Sequence, residues 1–118
     1  MRAAAADADA RVAADFAAVV NMTADELERW LRTARSRAVG SKGPEGERTE
    51  SIGHASGRNI VRILRLPEGE LSADDYTHMR KVVGFIRRHL AQRPDNVVTS
   101  RWRYSLMNWG HDPLKDEA

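Results

Sequence analysis

Between residues 73 and 92 the apolar side chains Tyr76, Met79, Val83, Ile86 and Leu90 fall within about 80° of one another on a helical wheel. No segment of the chain offers a comparable strand alternation or hairpin signal. Helical spacing recurs upstream. Leu27, Trp30, Leu31 and Ala34 follow i, i+3, i+4, i+7, and Thr23 with Glu26 three residues later forms a capping box that starts that helix. Ser72-Ala73-Asp74-Asp75 is a second N-cap signature, with acids in the first turn where the helix dipole favours them. The expected fold is therefore all-α, one small domain of four to five helices. Residues 1–10 read as a disordered Ala/Asp-rich lead-in and 11–115 as the domain. The helices are expected at about 9–20, from Thr23, from Ser51–His54 to Leu66 (apolar face Ile52, Ile60, Ile63, Leu64), at 73–92, and around 99–108. Residues 38–50 read as a loop. Trp102, Leu106 and Trp109 at i, i+4, i+7 suit a C-terminal clasp over the core.

With 118 residues the chain supports a single core. It has no cysteine, which excludes disulfides, thiolate metal sites and a cysteine nucleophile. No apolar run approaches the ~20 residues of a bilayer span, and no signal-like stretch precedes the domain. The expectation is a cytoplasmic protein without membrane contact.

The formal net charge is only +2, but 16 of the 19 basic residues are arginine and they are segregated. Four acid-free stretches, 29–37, 51–66, 76–94 and 100–111, hold 14 of the basic residues, while the rest of the chain is net −12. Arg58, Arg62 and Arg65 line one face of the third expected helix. Ser56 and Gly57 precede them near a helix N-terminus, a place where free backbone N–H groups hold phosphate. Lys81 and Arg88 flank Gly84 on the following helix, with Arg80 and Arg87 as a parallel row. Arg29, Arg32, Arg35 and Arg37 trail the earlier helix, and Arg101 and Arg103 interleave with Trp102. His78 and His89, eleven residues apart, fall on the same side of their helix. A solvated arginine face and packing of Gly84 against another helix of the domain are the plainer alternatives.

Enzyme signatures are weak. The four histidines include no i, i+3 or i, i+4 pair of the kind a helical metal site uses, and no Walker spacing surrounds Gly57. Only His54 with Ser56 suggests a catalytic pair. The expectation is no enzyme, no cofactor and no metal.

Several motifs, Asn21-Met-Thr-x-x-Glu26-Leu-x-x-Trp30-Leu31, Gly53-His-x-Ser-Gly-Arg-x-Ile-Val61, Tyr76-x-His-Met-Arg-Lys-Val-Val-Gly84, His89-Leu-Ala-Gln-Arg-Pro94 and the run from Arg101 to Lys115, resemble those of the domain of unknown function 3140 family. The resemblance spans roughly residues 12–115. Its members are commonly labelled DNA-binding proteins, so it implies DNA as a partner and supplies no catalytic residues. The leading expectation is thus a small DNA-binding protein of weak sequence specificity. It would contact phosphate through Ser56, Gly57, Arg58, Arg62, Arg65, Arg80, Lys81, Arg87, Arg88, Arg101 and Arg103, and be nucleoid-associated. Asn59 is the one candidate base reader. The alternative is a protein-interaction or homodimerisation module.

Overall fold

A computed structural model describes residues 2–43 and 49–115, which are helical with no strand among the described residues. Six α-helices follow in order: α1 Arg2–Val19, α2 Ala24–Leu31, α3 Ala34–Ala38, α4 Ile52–Arg65, α5 Ala73–Leu90 and α6 Arg101–Asn108. A 3-10 turn at Glu68–Glu70 joins α4 to α5. Glu45 and Glu47, within the expected loop at 38–50, lie outside the described residues.

The two capping boxes form as the sequence dictates. Thr23 Oγ1 accepts from the Glu26 amide while Glu26 Oε1 accepts from the Thr23 amide, and Ser72 and Asp75 repeat the exchange at the start of α5. At the first helix the boundary differs from expectation. It begins at Arg2, where the lead-in is rich in alanine, the residue of highest helix propensity. The second difference is α3, a five-residue helix capped by Thr33, whose hydroxyl accepts from the Ser36 amide. The apolar spacing through Ala34 concealed this break.

Helix α1 lies along α5, α2 lies along α4, and α6 touches α2, α3, α4 and α5. Leu27, Ile60, Val82, Ile86 and Leu106 are completely shielded from solvent. Trp102 and Trp109 are also buried, so the C-terminal aromatics do clasp the core. On α4 the buried face is Gly53, Ser56, Gly57, Ile60, Val61 and Ile63, while the expected core residues Ile52 and Leu64 are exposed. The small residues turn this face inward because they allow close approach. A Cβ at Gly57 would lie 2.5 Å from the Asn108 carbonyl oxygen and 2.7 Å from Leu31 Cδ2.

At the centre of the α2–α3–α6 junction sits Asn108, 1% exposed. Its Oδ1 accepts from Trp30 Nε1 at 2.7 Å and from Ser36 Oγ at 2.5 Å, and its Nδ2 donates to the Ser36 carbonyl at 3.0 Å. Helix α6 then ends in a Schellman motif. Gly110, at φ +90°, donates to Met107 O and His111 donates to Leu106 O, a conformation that favours glycine. The following residues fasten the α1–α2 connection to the segment after α6. Asn21 and Asp112 exchange two hydrogen bonds of 2.9 and 2.8 Å, His111 Nδ1 donates to Val19 O, and Lys115 reaches Asn21 O and Glu26. Asn21, Glu26 and the Asp112–Lys115 run are thus joined in space, although 89 to 94 residues separate them in sequence.

Candidate functional site

The arginine row on α4 does form, at Arg58, Arg62 and Arg65, but each member is held by an acid from another part of the chain. Glu50 takes Arg58 through two hydrogen bonds of 2.8 and 2.5 Å. Asp75 takes Arg62, which also donates to Asn59 Oδ1, leaving that candidate reader's acceptor occupied. Asp25 and Glu28 share Arg65, both at 2.8 Å. The carboxylates respond accordingly. The Arg58 guanidinium holds Glu50 down at about 2, and Arg62 together with the Ser72 amide holds Asp75 at about 2. Three cations therefore face four carboxylates, and little net field remains along this row to attract a DNA backbone. Exposed pairs of this kind are worth only about 0–1 kcal/mol each, so what they remove is the net charge of the face rather than the mobility of its side chains.

Three more of the expected contacts are similarly engaged. Arg80 approaches Asp9 at 4.0 Å, Arg87 approaches Asp15 at 3.3 Å, and Arg103 pairs with Asp112 at 3.2 Å. The parallel row of Arg80 and Arg87 thus ties α5 to α1.

The phosphate cradle expected around Ser56 and Gly57 is closed. Ser51 is buried and caps α4 by accepting from the His54 amide, and the Ile52 amide donates to Ser41 O at 2.7 Å. Gly57 is pressed against α6, leaving no space for a ligand. Ser56 is buried and shares a 3.0 Å hydrogen bond with His78 Nε2, not with His54. His54 instead lies between Glu50 and the Leu31 carbonyl, whose oxygen is 2.7 Å from Nε2 and belongs to the last turn of α2. The two residues of the suggested catalytic pair therefore face different partners.

One face differs. His78, Lys81, Phe85, Arg88 and His89 of α5, with Gln92 just beyond its end, fall on one side at helical spacing. Neither Lys81 nor Arg88 has an acidic partner among the described residues, and this stripe holds no acid from His78 onward; Asp74 stands one turn before it. Gly84 is not pressed against another helix. An added Cβ would meet only the flexible Arg88 guanidinium, at 3.0 Å.

Beneath the stripe runs a column of nearly parallel rings. His78 stacks on Trp109 (6.3 Å between centroids), Trp109 on Phe85 (4.2 Å), Phe85 on His89 (4.9 Å) and His89 on Trp102 (6.2 Å), with the Arg93 guanidinium 5.7 Å over Trp102. These rings satisfy one another's faces, so the tryptophans do not offer theirs to a nucleobase. Burial, with Lys81 nearby, lowers the pKa of His78, and burial lowers that of His89, whose Nε2 is enclosed without a hydrogen-bond partner.

A cavity opens at each end of the column. The smaller, about 220 Å³, lies between Ile52, Asn59, His78 and Lys81. The larger, about 380 Å³, lies between Gly40, His89, Gln92 and Arg101. No carboxylate lines either one. Arg101 donates to Ala38 O at 3.3 Å and has no acidic partner among the described residues. Of the expected contacts, the structure brings Lys81, Arg88 and Arg101 onto this face, with Ser56 behind it. Sequence reasoning passed over Phe85, Gln92 and Trp109 as members. For Phe85 and Gln92 the signal was the helical continuation from Lys81 through His89, whereas Trp109, which follows α6, joins them only through packing.

Among the described residues no group of three or more His, Asp or Glu side chains is placed to hold a metal ion. No described helix is long and apolar enough to cross a membrane.

Fold and face together define a small helical protein with one acid-free cationic stripe. Over residues 15–107 the chain matches the model of a family described as protein of unknown function (DUF3140), and it belongs to that family. No curated protein and no solved structure matches it.

Proposed function

We propose that the protein binds DNA through the α5–α6 face, contacting phosphates with Lys81, Arg88 and Arg101 and reading little sequence. What supports this reading is the contrast between faces. The α4 arginines are neutralised by the chain's own acids, whereas the stripe from His78 to Gln92 carries cations without acidic partners. Three phosphate contacts give a log–log salt slope of about −2.7 and affinity on the order of 10⁻⁴ to 10⁻⁶ M at physiological salt. A nucleoid-associated location goes with this reading, and no catalytic role is assigned.

The test is fluorescence anisotropy with a labelled duplex across a salt series. Substituting Lys81, Arg88 and Arg101 with Gln should remove most of the slope, whereas an unchanged slope would refute the reading. A second reading takes the same face as the dock of an acidic protein or a second copy of the chain. The observation in its favour is Ile52, 43% exposed at the rim of the smaller cavity. Light scattering at micromolar concentration tests the homodimer directly.

A further inference from the structure

On the opposite side of α4, away from the stripe, a third cavity of about 370 Å³ opens where α2, α3 and α4 meet. Leu31 and Val61 supply an apolar wall, and Arg32, Arg37 and Arg58 converge around it beside His54, with Glu28 the one carboxylate in the lining. An adjoining cavity of about 240 Å³ shares Arg37 and His54 and reaches Glu50. We infer that this junction is a binding site for a small phosphate-bearing ligand.

The charge arrangement carries the argument. Arg37 lines both cavities, and its guanidinium has no hydrogen-bond or ion-pair partner among the described residues. Arg58 offers two parallel N–H groups, the fork that recognises carboxylate and phosphate oxygens. In this structure that fork is filled by Glu50, which also contacts His54. Glu50 thus occupies the position of an anionic ligand, as a carboxylate tethered beside the cavity. Glu28 similarly occupies Arg32, more loosely, at 3.4 Å, and shares itself with Arg65. A phosphate entering between Arg37 and Arg58 would displace the Glu50 carboxylate from the fork and gain a second guanidinium that no internal acid holds. The volume exceeds what a bare anion needs and falls in the range of small-molecule pockets, roughly 300–1,000 Å³. With the apolar wall of Leu31 and Val61 it accommodates the organic body of a phosphomonoester of nucleotide or sugar-phosphate size. This site is separate from the proposed DNA contacts and stands without them.

Isothermal titration at low ionic strength tests it with inorganic phosphate, adenosine monophosphate and uncharged adenosine as probes. Saturable binding of phosphate or of the nucleotide is expected, and tighter binding of the nucleotide identifies an esterified ligand rather than free phosphate. Adenosine should bind neither comparably nor competitively. Arg37→Ala should weaken binding by about tenfold, the usual consequence of losing a hydrogen bond to a charged group. Because Arg37 holds no internal partner, that loss is not a folding effect, and an unchanged melting temperature will confirm it. Glu50→Gln should tighten binding several-fold by releasing the Arg58 fork. Arg11→Ala, an exposed cation on α1, should have no effect. Absence of saturable binding to wild type, equal loss in the Arg11 variant, adenosine binding as well as the nucleotide, or weaker binding by Glu50→Gln would each overturn the inference.

Discussion

Replacing Gly57 by alanine adds one methyl group where α4 crosses α6, and the structure fixes what that methyl meets. Its nearest neighbour is the Asn108 carbonyl oxygen at 2.5 Å, and the next is Leu31 Cδ2 at 2.7 Å. Backbone does not swing aside as a side-chain terminus does, so α6 must move away from α4. That movement also disturbs Asn108, whose side chain holds Trp30 and Ser36. Overpacking of this kind costs about 3 kcal/mol, the upper end of the usual range. Alanine in a helix interior recovers about 1 kcal/mol of propensity relative to glycine, leaving a net loss of about 2 kcal/mol. At about 4 °C per kcal/mol for a domain of this size, the melting temperature should fall by about 8 °C. Urea unfolding followed by far-UV circular dichroism and tryptophan fluorescence measures the same quantity. Gly84→Ala is the internal control. Its methyl meets only a mobile guanidinium, so propensity dominates and stability should rise by about 0.5–1 kcal/mol. A Gly57→Ala protein as stable as wild type would refute the close α4–α6 crossing.

Asn108→Ala should lower stability by about 3 kcal/mol, because the Trp30 and Ser36 donors and the Ser36 carbonyl lose their partner in a buried site; chemical denaturation gives the value. Stability should also fall in acid. The folded-state pKa of Glu26, held by Lys115 and the Thr23 amide, and those of Glu50 and Asp75 are all about 2, below the ordinary 4.5, 4.5 and 3.8. Their contribution is complete above about pH 4.5 and disappears as pH falls toward 2. His78 and His89 are also depressed, by burial, so they favour the folded state when neutral and an additional loss begins below pH 6.5. Melting curves between pH 2 and 8 should show both regions, and a stability flat from pH 8 to 5 would contradict the burial of the two histidines.

The sequence made the local devices legible and the long-range ones invisible. Thr23–Glu26 and Ser72–Asp75 are closed within three residues, so spacing alone identified α2 and α5. On α4 the pattern found Ile60 and Ile63 but missed the rest of the inward face, because Gly53, Ser56 and Gly57 are small and a hydrophobic pattern counts only large side chains. The arginine row was found, but its neutralisation was not. Arg65 meets Asp25 across 40 residues and Arg62 meets Asp75 across 13, distances over which only the packing of α2, α4 and α5 decides the pairing. Of the two helices expected to carry cations, that packing neutralises the α4 row and leaves Lys81 and Arg88 of α5 without acidic partners among the described residues.

A head-to-head titration tests the contrast between the α4 row and the α5 stripe most directly. Duplex binding at low salt should be abolished by Lys81→Glu with Arg88→Glu, whose parent side chains have no acidic partners among the described residues. It should persist within about threefold in Arg58→Gln with Arg62→Gln, since partnered exposed cations contribute little net field. Melting temperatures measured alongside will establish that both proteins are folded. Loss of binding in the α4 variant and retention in the α5 variant would contradict the account.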